Sequence, residues 1–345
     1  MFLANKTQTN TNKNMKNKLT TLTVASMLAI SNISAIEIGP TGSGIDLSGF
    51  VDIGASKQGT DTETTKAQVE LNFGYTMGPV SAAVGLDFGE SSAFGNDDTD
   101  GNLEEAYITY DFGNGFSVTG GRMLSYMGFE AFDPTNMYQF SYAYDVGSAT
   151  LTGDVDPTGA QMIYDAYDTG ASIDYGNDLF SVGVWASLEN EAGYELALAY
   201  TGIENFTAKA IWSDFSEVTP SASAQPYEKS TFWISYQLDK LLLAAEVAEA
   251  DSHTSGTADV DGFLIMGNYA FTDKIGLTLR YSEEEISTAY NSATLANEFS
   301  KITISPSYVF NDNLSGLIEY STYEDDVTGN ADPEDLFAVE VIYTF

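Results

Sequence analysis

The chain has 345 residues, 50 of them acidic against 13 basic, with one histidine and no cysteine. Without cysteine there is no disulfide framework, thiolate metal site or thiol chemistry, and a formal charge of −37 excludes a nucleic-acid partner. Twenty-one Tyr, 20 Phe and 31 Gly against only 8 Pro suit many strands joined by tight turns.

Residues 1–35 read as an export segment with a polar N-terminal extension. Met15 looks like an internal start, Lys16 and Lys18 form a charged end, an apolar stretch covers 22–30, and Ile33-Ser34-Ala35 supplies a cleavage site. The alternative, an anchoring helix, needs about 20 apolar residues. Four of the 13 basic residues lie in this segment, which leaves 9 against all 50 acidic groups in residues 36–345.

From Ile45 onward the chain alternates apolar and polar residues in segments of about ten, the pattern of strands that cross an outer membrane. Val69, Leu71, Phe73 and Tyr75 share one face, while Gln68, Glu70 and Asn72 share the other. Sixteen segments are predicted, within bounds of 14 to 18, beginning near Ile45, Lys66, Val80, Leu103, Phe116, Tyr167, Leu179, Tyr194, Asn205, Lys229, Lys240, Asp261, Lys274, Phe299, Leu314 and Asp335. Short turns such as Gly78-Pro79 and Asn311-Asp312-Asn313 alternate with acidic loops at 90–102, 283–298 and 324–334. Segments running toward the short turns end in outward-phase aromatics, among them Tyr110, Tyr200, Tyr269 and Tyr343, which reads as an interfacial girdle. The expected fold is therefore all-β: one transmembrane antiparallel up-and-down barrel over 36–345, in a bacterial outer membrane. Pro306 falls inside a segment that pairs on both sides, where a local bulge is expected. Phe345, after alternating apolar residues, resembles the C-terminal signal read by the barrel-assembly machinery.

The third external loop, about 125–166, is far longer than the ~12–15 residues usual for an unstructured loop. It is rich in Tyr and Phe, so it is expected to pack inside the barrel, or else on itself as an external cap. Here the stretch 121–144 carries a resemblance: Gly121-Arg122, Gly128-Phe129-Glu130, Asn136 and Ser141-Tyr142, followed by Thr169-Gly170. These residues resemble the signature region of a family of outer-membrane β-barrel porins of Gram-negative bacteria. A Pro usual before the Gly-aromatic-Glu and an Arg in the Ser-rich run are missing. The resemblance implies a porin-like barrel and hints at a homotrimer.

Assigning the aliphatic face to lipid puts Glu70, Asp87, Glu105, Asp111, Glu246, Glu319 and Glu340 in the lumen with few bases: Lys209, Arg280 and Lys301. Arg122 is out of phase unless a bulge at Gly120-Gly121 turns it inward, and Glu130 and Asp133 join the constriction from the loop. Carboxylates lining a channel favour cations. The expected function is a water-filled porin for passive diffusion of small hydrophilic solutes and ions, weakly cation-preferring; the alternative is a plugged barrel with a structural, adhesive or envelope-anchoring role. No enzyme is expected, since His253 stands in a Gly- and Ser-rich loop rather than on rigid elements. No cofactor is expected beyond structural Ca²⁺ or Mg²⁺ on acidic external loops such as 96–101 and 154–156. The expected partners are outer-membrane lipid and lipopolysaccharide.

Overall fold

A computed structural model describes residues 35–345 except 39–41, 60–62, 92–101, 131–132, 146–162, 165–166, 190–192, 218–225, 254–257, 291–292 and 326–332. The expected export segment, apart from Ala35, and the acidic clusters at 96–101 and 154–156 lie outside the described residues.

A two-residue strand, β1 (Ile36–Glu37), pairs with the start of β2 (Ile45–Gln58). The wall continues through β3 (Thr64–Met77), β4 (Val80–Ser91), β5 (Asn102–Asp111) and β6 (Phe116–Leu124). After the third loop come β7 (Tyr167–Gly176), β8 (Phe180–Ser187), β9 (Tyr194–Tyr200), β10 (Phe206–Asp214) and β11 (Tyr227–Leu238). It ends with β12 (Leu241–Ser252), β13 (Ala258–Ala270), β14 (Ile275–Tyr290), β15 (Ala293–Asn311), β16 (Leu314–Asp325) and β17 (Leu336–Thr344). Each pairs antiparallel with the next, and β17 returns to β2 through Tyr343↔Val51 and Leu336↔Gln58. Sixteen strands thus form a closed wall with no free edge, the condition for a sheet in hydrocarbon.

The polarity of the wall is inverted relative to a water-soluble protein. Along β17, Leu336, Ala338, Glu340 and Ile342 are buried on the lumen side. Phe337, Val339, Val341 and Tyr343 between them are 38–51 % exposed on the outside. Such a surface is stable only against lipid. At the short-turn end the outward aromatics pair ring to ring: Tyr110–Phe112 at 5.0 Å, Tyr269–Phe271 at 4.9 Å and Tyr308–Phe310 at 5.0 Å. Amphipathic rings at this level match a headgroup girdle.

Two expectations are corrected. Pro306 needs no bulge: it stays paired with Leu277 of β14, and pairing with β16 lapses at residues 305 and 306 without a change of register. The missing N–H is absorbed by that gap, and the register shift falls instead between Val309 and Asn311. Residues 283–298 are not a loop, because β14 and β15 pair on to Tyr290↔Ala293. Alternation marks a strand only where one face is apolar throughout, and residues 283–298 show no such period-two pattern.

Ile53 faces outward on β2, 58 % exposed. Ile53→Lys is expected to destabilise the barrel in vesicles by about 2–4 kcal/mol, measured by denaturant unfolding. Gln68→Lys, on the acidic lumen face beside Asp87, is expected to have little effect.

Candidate functional site: the lumen and its third loop

The third loop leaves β6 at Leu124 and folds into the barrel, where Met127, Phe129, Tyr138, Phe140, Tyr144 and Tyr164 are buried. An irregular backbone inside a barrel must find partners for its N–H and C=O groups, and the wall supplies them by charge. Wall carboxylates accept loop N–H groups: Tyr126 N donates to Glu195 at 2.9 Å, Phe129 N to Glu246 at 2.9 Å and Ser141 N to Glu319 at 3.0 Å. Wall cations donate to loop carbonyls: Lys209 Nζ to Tyr126 O at 2.7 Å, Arg280 to Ser141 O at 2.8 Å and Tyr142 O at 2.9 Å, and Lys301 Nζ to Tyr142 O at 3.0 Å. Two ion pairs complete the anchor, Arg280–Glu130 at 2.7 Å and Lys301–Asp145 at 2.5 Å. Glu130 also accepts from Gln139 and from Ala143 N, so it organises the loop from within. Burial raises the Asp145 carboxyl, opposed by the Lys301 ammonium.

Apolar packing follows the same seam. Phe129 meets Trp233 edge to face at 5.6 Å, and Tyr144 meets Tyr164 likewise at 5.6 Å. Gly262 makes room for them, since a Cβ there would lie 2.7 Å from Ile163 Cδ1 and from the Tyr144 ring.

Five expected channel residues therefore sit elsewhere than on open water. Glu246, Arg280, Lys301 and Glu319 are sealed beneath the loop, Glu130 lies on its buried side, and Lys209, bound to the loop at Tyr126 O, stands at the edge of the cavity below. The reason is that the aromatic loop claims the wall that carries the bases. Glu340 is buried as well, grouped with Lys66 and Asp52 across β2, β3 and β17; Lys66 Nζ lies 2.5 Å from Asp52 and 3.7 Å from Glu340. Arg122 is not turned inward. β5 and β6 pair without a shift at Ala106↔Arg122, so it keeps the outward phase and its Nε donates to Leu103 O at 3.1 Å.

The remaining expected residues gather across the lumen. Glu70, Asp87 and Glu105 stand on β3, β4 and β5, and Asp133 of the loop reaches toward them. Glu104 joins this group unannounced. A bulge opposite Gly85/Leu86 places it beside Glu105, where it accepts a hydrogen bond from Tyr167. The signal was present: Leu103 and Glu105 share odd parity yet face opposite sides, which only an extra residue permits. Burial, and then the charge of Glu104, pushes the Asp133 carboxyl up to about 7.

Below the loop a cavity of about 1910 Å³ extends to the short turns. Met127, Phe129 and Tyr138 contribute to it from the loop, Tyr107, Thr109 and Thr119 from the wall, and Asp111 stands near its lower end. His253 lies half-exposed at the outer end, its Nε2 3.9 Å from Glu228.

Closed wall, inward loop and wide cavity together describe a porin, and the family comparison agrees. Residues 44–345 match the model of the family "Putative beta-barrel porin-2, OmpL-like". The chain belongs to that family. Among solved structures, this porin is similar to OmpF of Salmonella typhi in complex with daunomycin, at 17% identity and TM-score 0.63 over 90% of this chain and 100% of that one. It is also similar to the anion-selective porin of Comamonas acidovorans (11%, TM-score 0.62, 87% and 99%) and to the trimer form of Vibrio cholerae OmpT (13%, 0.61, 87% and 99%). At these identities the likeness is one of fold. No curated protein matches the sequence. The protein is thus an outer-membrane porin-like channel barrel.

Arg280 holds both a loop carboxylate and two loop carbonyls. Arg280→Ala leaves the buried Glu130 without its counter-ion, which is expected to cost about 3–5 kcal/mol of loop docking. The check is chymotrypsin cleavage at the loop aromatics: wild type resists, the variant is cut, and adding Glu130→Gln restores part of the resistance.

Proposed function

We propose that this porin passes small hydrophilic solutes and ions by passive diffusion with a weak preference for cations. The observation that carries this reading is the division of charge across the lumen. Arg280 and Lys301 are paired with carboxylates beneath the third loop and Lys209 is held by a loop carbonyl, whereas Asp87, Glu104, Glu105 and Asp133 gather on the opposite side. Carboxylates in a confined channel raise the local cation concentration, and acidic rings favour cation passage. The cavity that reaches the short turns supplies the lower half of the route.

The second reading is a plugged barrel, and one contact favours it: Asp133 brings the loop against Glu70, so the loop touches both sides of the lumen. The surrounding scheme follows from the porin reading. Residues 1–35 direct export, Phe345 is read by the assembly machinery, and the acidic outer loops bridge through Ca²⁺ or Mg²⁺ to each other or to lipopolysaccharide. Three copies associate, as in the trimer form of the Vibrio protein.

Planar-bilayer recording of the refolded barrel in a KCl gradient tests the reading. Stable open steps with a reversal potential toward K⁺ are expected, and Asp87→Asn with Glu105→Gln is expected to move that potential toward zero. A folded barrel that stays silent overturns diffusion in favour of the plug.

A further inference from the structure

Opposite the buried ion pairs, the loop brings a carboxylate against carboxylates of the wall. Glu70 of β3, Glu104 of β5 and Asp133 of the loop each bring an oxygen within 4.8 Å of the other two. Two oxygens that share one Ca²⁺, each about 2.3–2.6 Å from it, are separated by at most about 5 Å. The spacing therefore fits a single hard cation.

Three further observations point into the cluster. Glu70 is only 5 % exposed, and its Oε2 accepts no hydrogen bond, although Asn72 donates to Oε1. An unsatisfied buried carboxylate oxygen is costly. Glu70 and Asp133 nonetheless face each other with oxygens no more than 4.8 Å apart, and two buried carboxylates at that separation repel unless a proton or a cation lies between them. Finally, Asp133 sits where it could cap the short 3-10 turn Pro134–Asn136, yet its side chain makes no such bond. It is turned to the wall instead. No ion pair to any of the three forms among the described residues, and Glu105 and Asp87 deepen the negative potential behind them.

We propose that Glu70, Glu104 and Asp133 bind one divalent cation of the Ca²⁺ class, which fastens the third loop to the wall opposite its ion-pair anchor. All donors are oxygens, which suits a hard cation; the Tyr167 hydroxyl on Glu104 orients that carboxylate. The site bridges wall and loop in the lumen, so an occupied site also obstructs permeating cations. Only this last consequence rests on the channel reading.

Equilibrium dialysis of ⁴⁵Ca²⁺ against the detergent-folded mature chain decides it, in about 0.1 M KCl, where diffuse binding to surface charge is screened. One Ca²⁺ per chain is expected, weakened about tenfold or more in Glu104→Gln and in Asp133→Asn. Glu249→Gln, the same change on the outer face, is expected to leave it intact. Heat-modifiable gel migration confirms folding of each variant, and a Mn²⁺ anomalous peak among the three carboxylates in a wild-type crystal gives an independent readout. Equal Ca²⁺ binding by wild type, Glu104→Gln and Asp133→Asn, with no anomalous peak, overturns the site and leaves a shared proton. A barrel that conducts K⁺ but binds no Ca²⁺ here sinks this proposal alone; a silent barrel that binds it sinks only the channel reading.

Discussion

The structure depends on a reciprocal exchange between a charged wall and an irregular backbone. A long loop drawn into a barrel carries amides and carbonyls that have lost water, and each unpaired one is expensive. The wall answers in kind. Glu195, Glu246 and Glu319 take N–H groups, and Lys209, Arg280 and Lys301 take carbonyls. Neither set is in place for its own stability, because a buried ion alone costs several kcal/mol. Together with Glu130 and Asp145 they fix the position and register of the loop.

This arrangement also sets the electrostatics of the passage. By spending the wall's bases on the loop, the protein leaves carboxylates on the far side, around Glu70, Glu104 and Asp133. Arg280 and Lys301 are thereby kept out of contact with solute, while Lys209, Lys240 and Lys274 face the cavity below the loop. Outside, the bilayer imposes the opposite constraint: aliphatic residues face outward and aromatic rings mark the short-turn boundary. Both constraints act on the same strands at alternate residues, which explains how Glu340 and Val341 stand side by side on β17.

Most of the wall was legible in the sequence. Fifteen of the sixteen strand starts lie within three residues of their observed places, β15 alone beginning six residues early, because lipid on one face and polar lumen on the other enforce period two. Legibility ended where that contrast ended. The outer halves of β14 and β15 pair with each other but carry no period-two alternation of apolar residues, so they read as a loop. Glu104 escaped because a bulge broke parity, and Arg122 kept its parity although a bulge was invoked for it. The loop's aromatic content announced burial, and its lack of Lys and Arg left the basic wall as the available counterpart. Pairings such as Arg280–Glu130 join residues 150 positions apart, beyond the reach of any local pattern.

The claim that the loop is pinned inside the lumen is tested most directly by amide hydrogen exchange of the folded barrel in a bilayer mimic. The N–H groups of Tyr126, Phe129, Ser141 and Ala143, each bound to a carboxylate, should exchange as slowly as those of the adjoining wall strands. Exchange across residues 126–145 at the rate of an open, solvated loop would contradict the account.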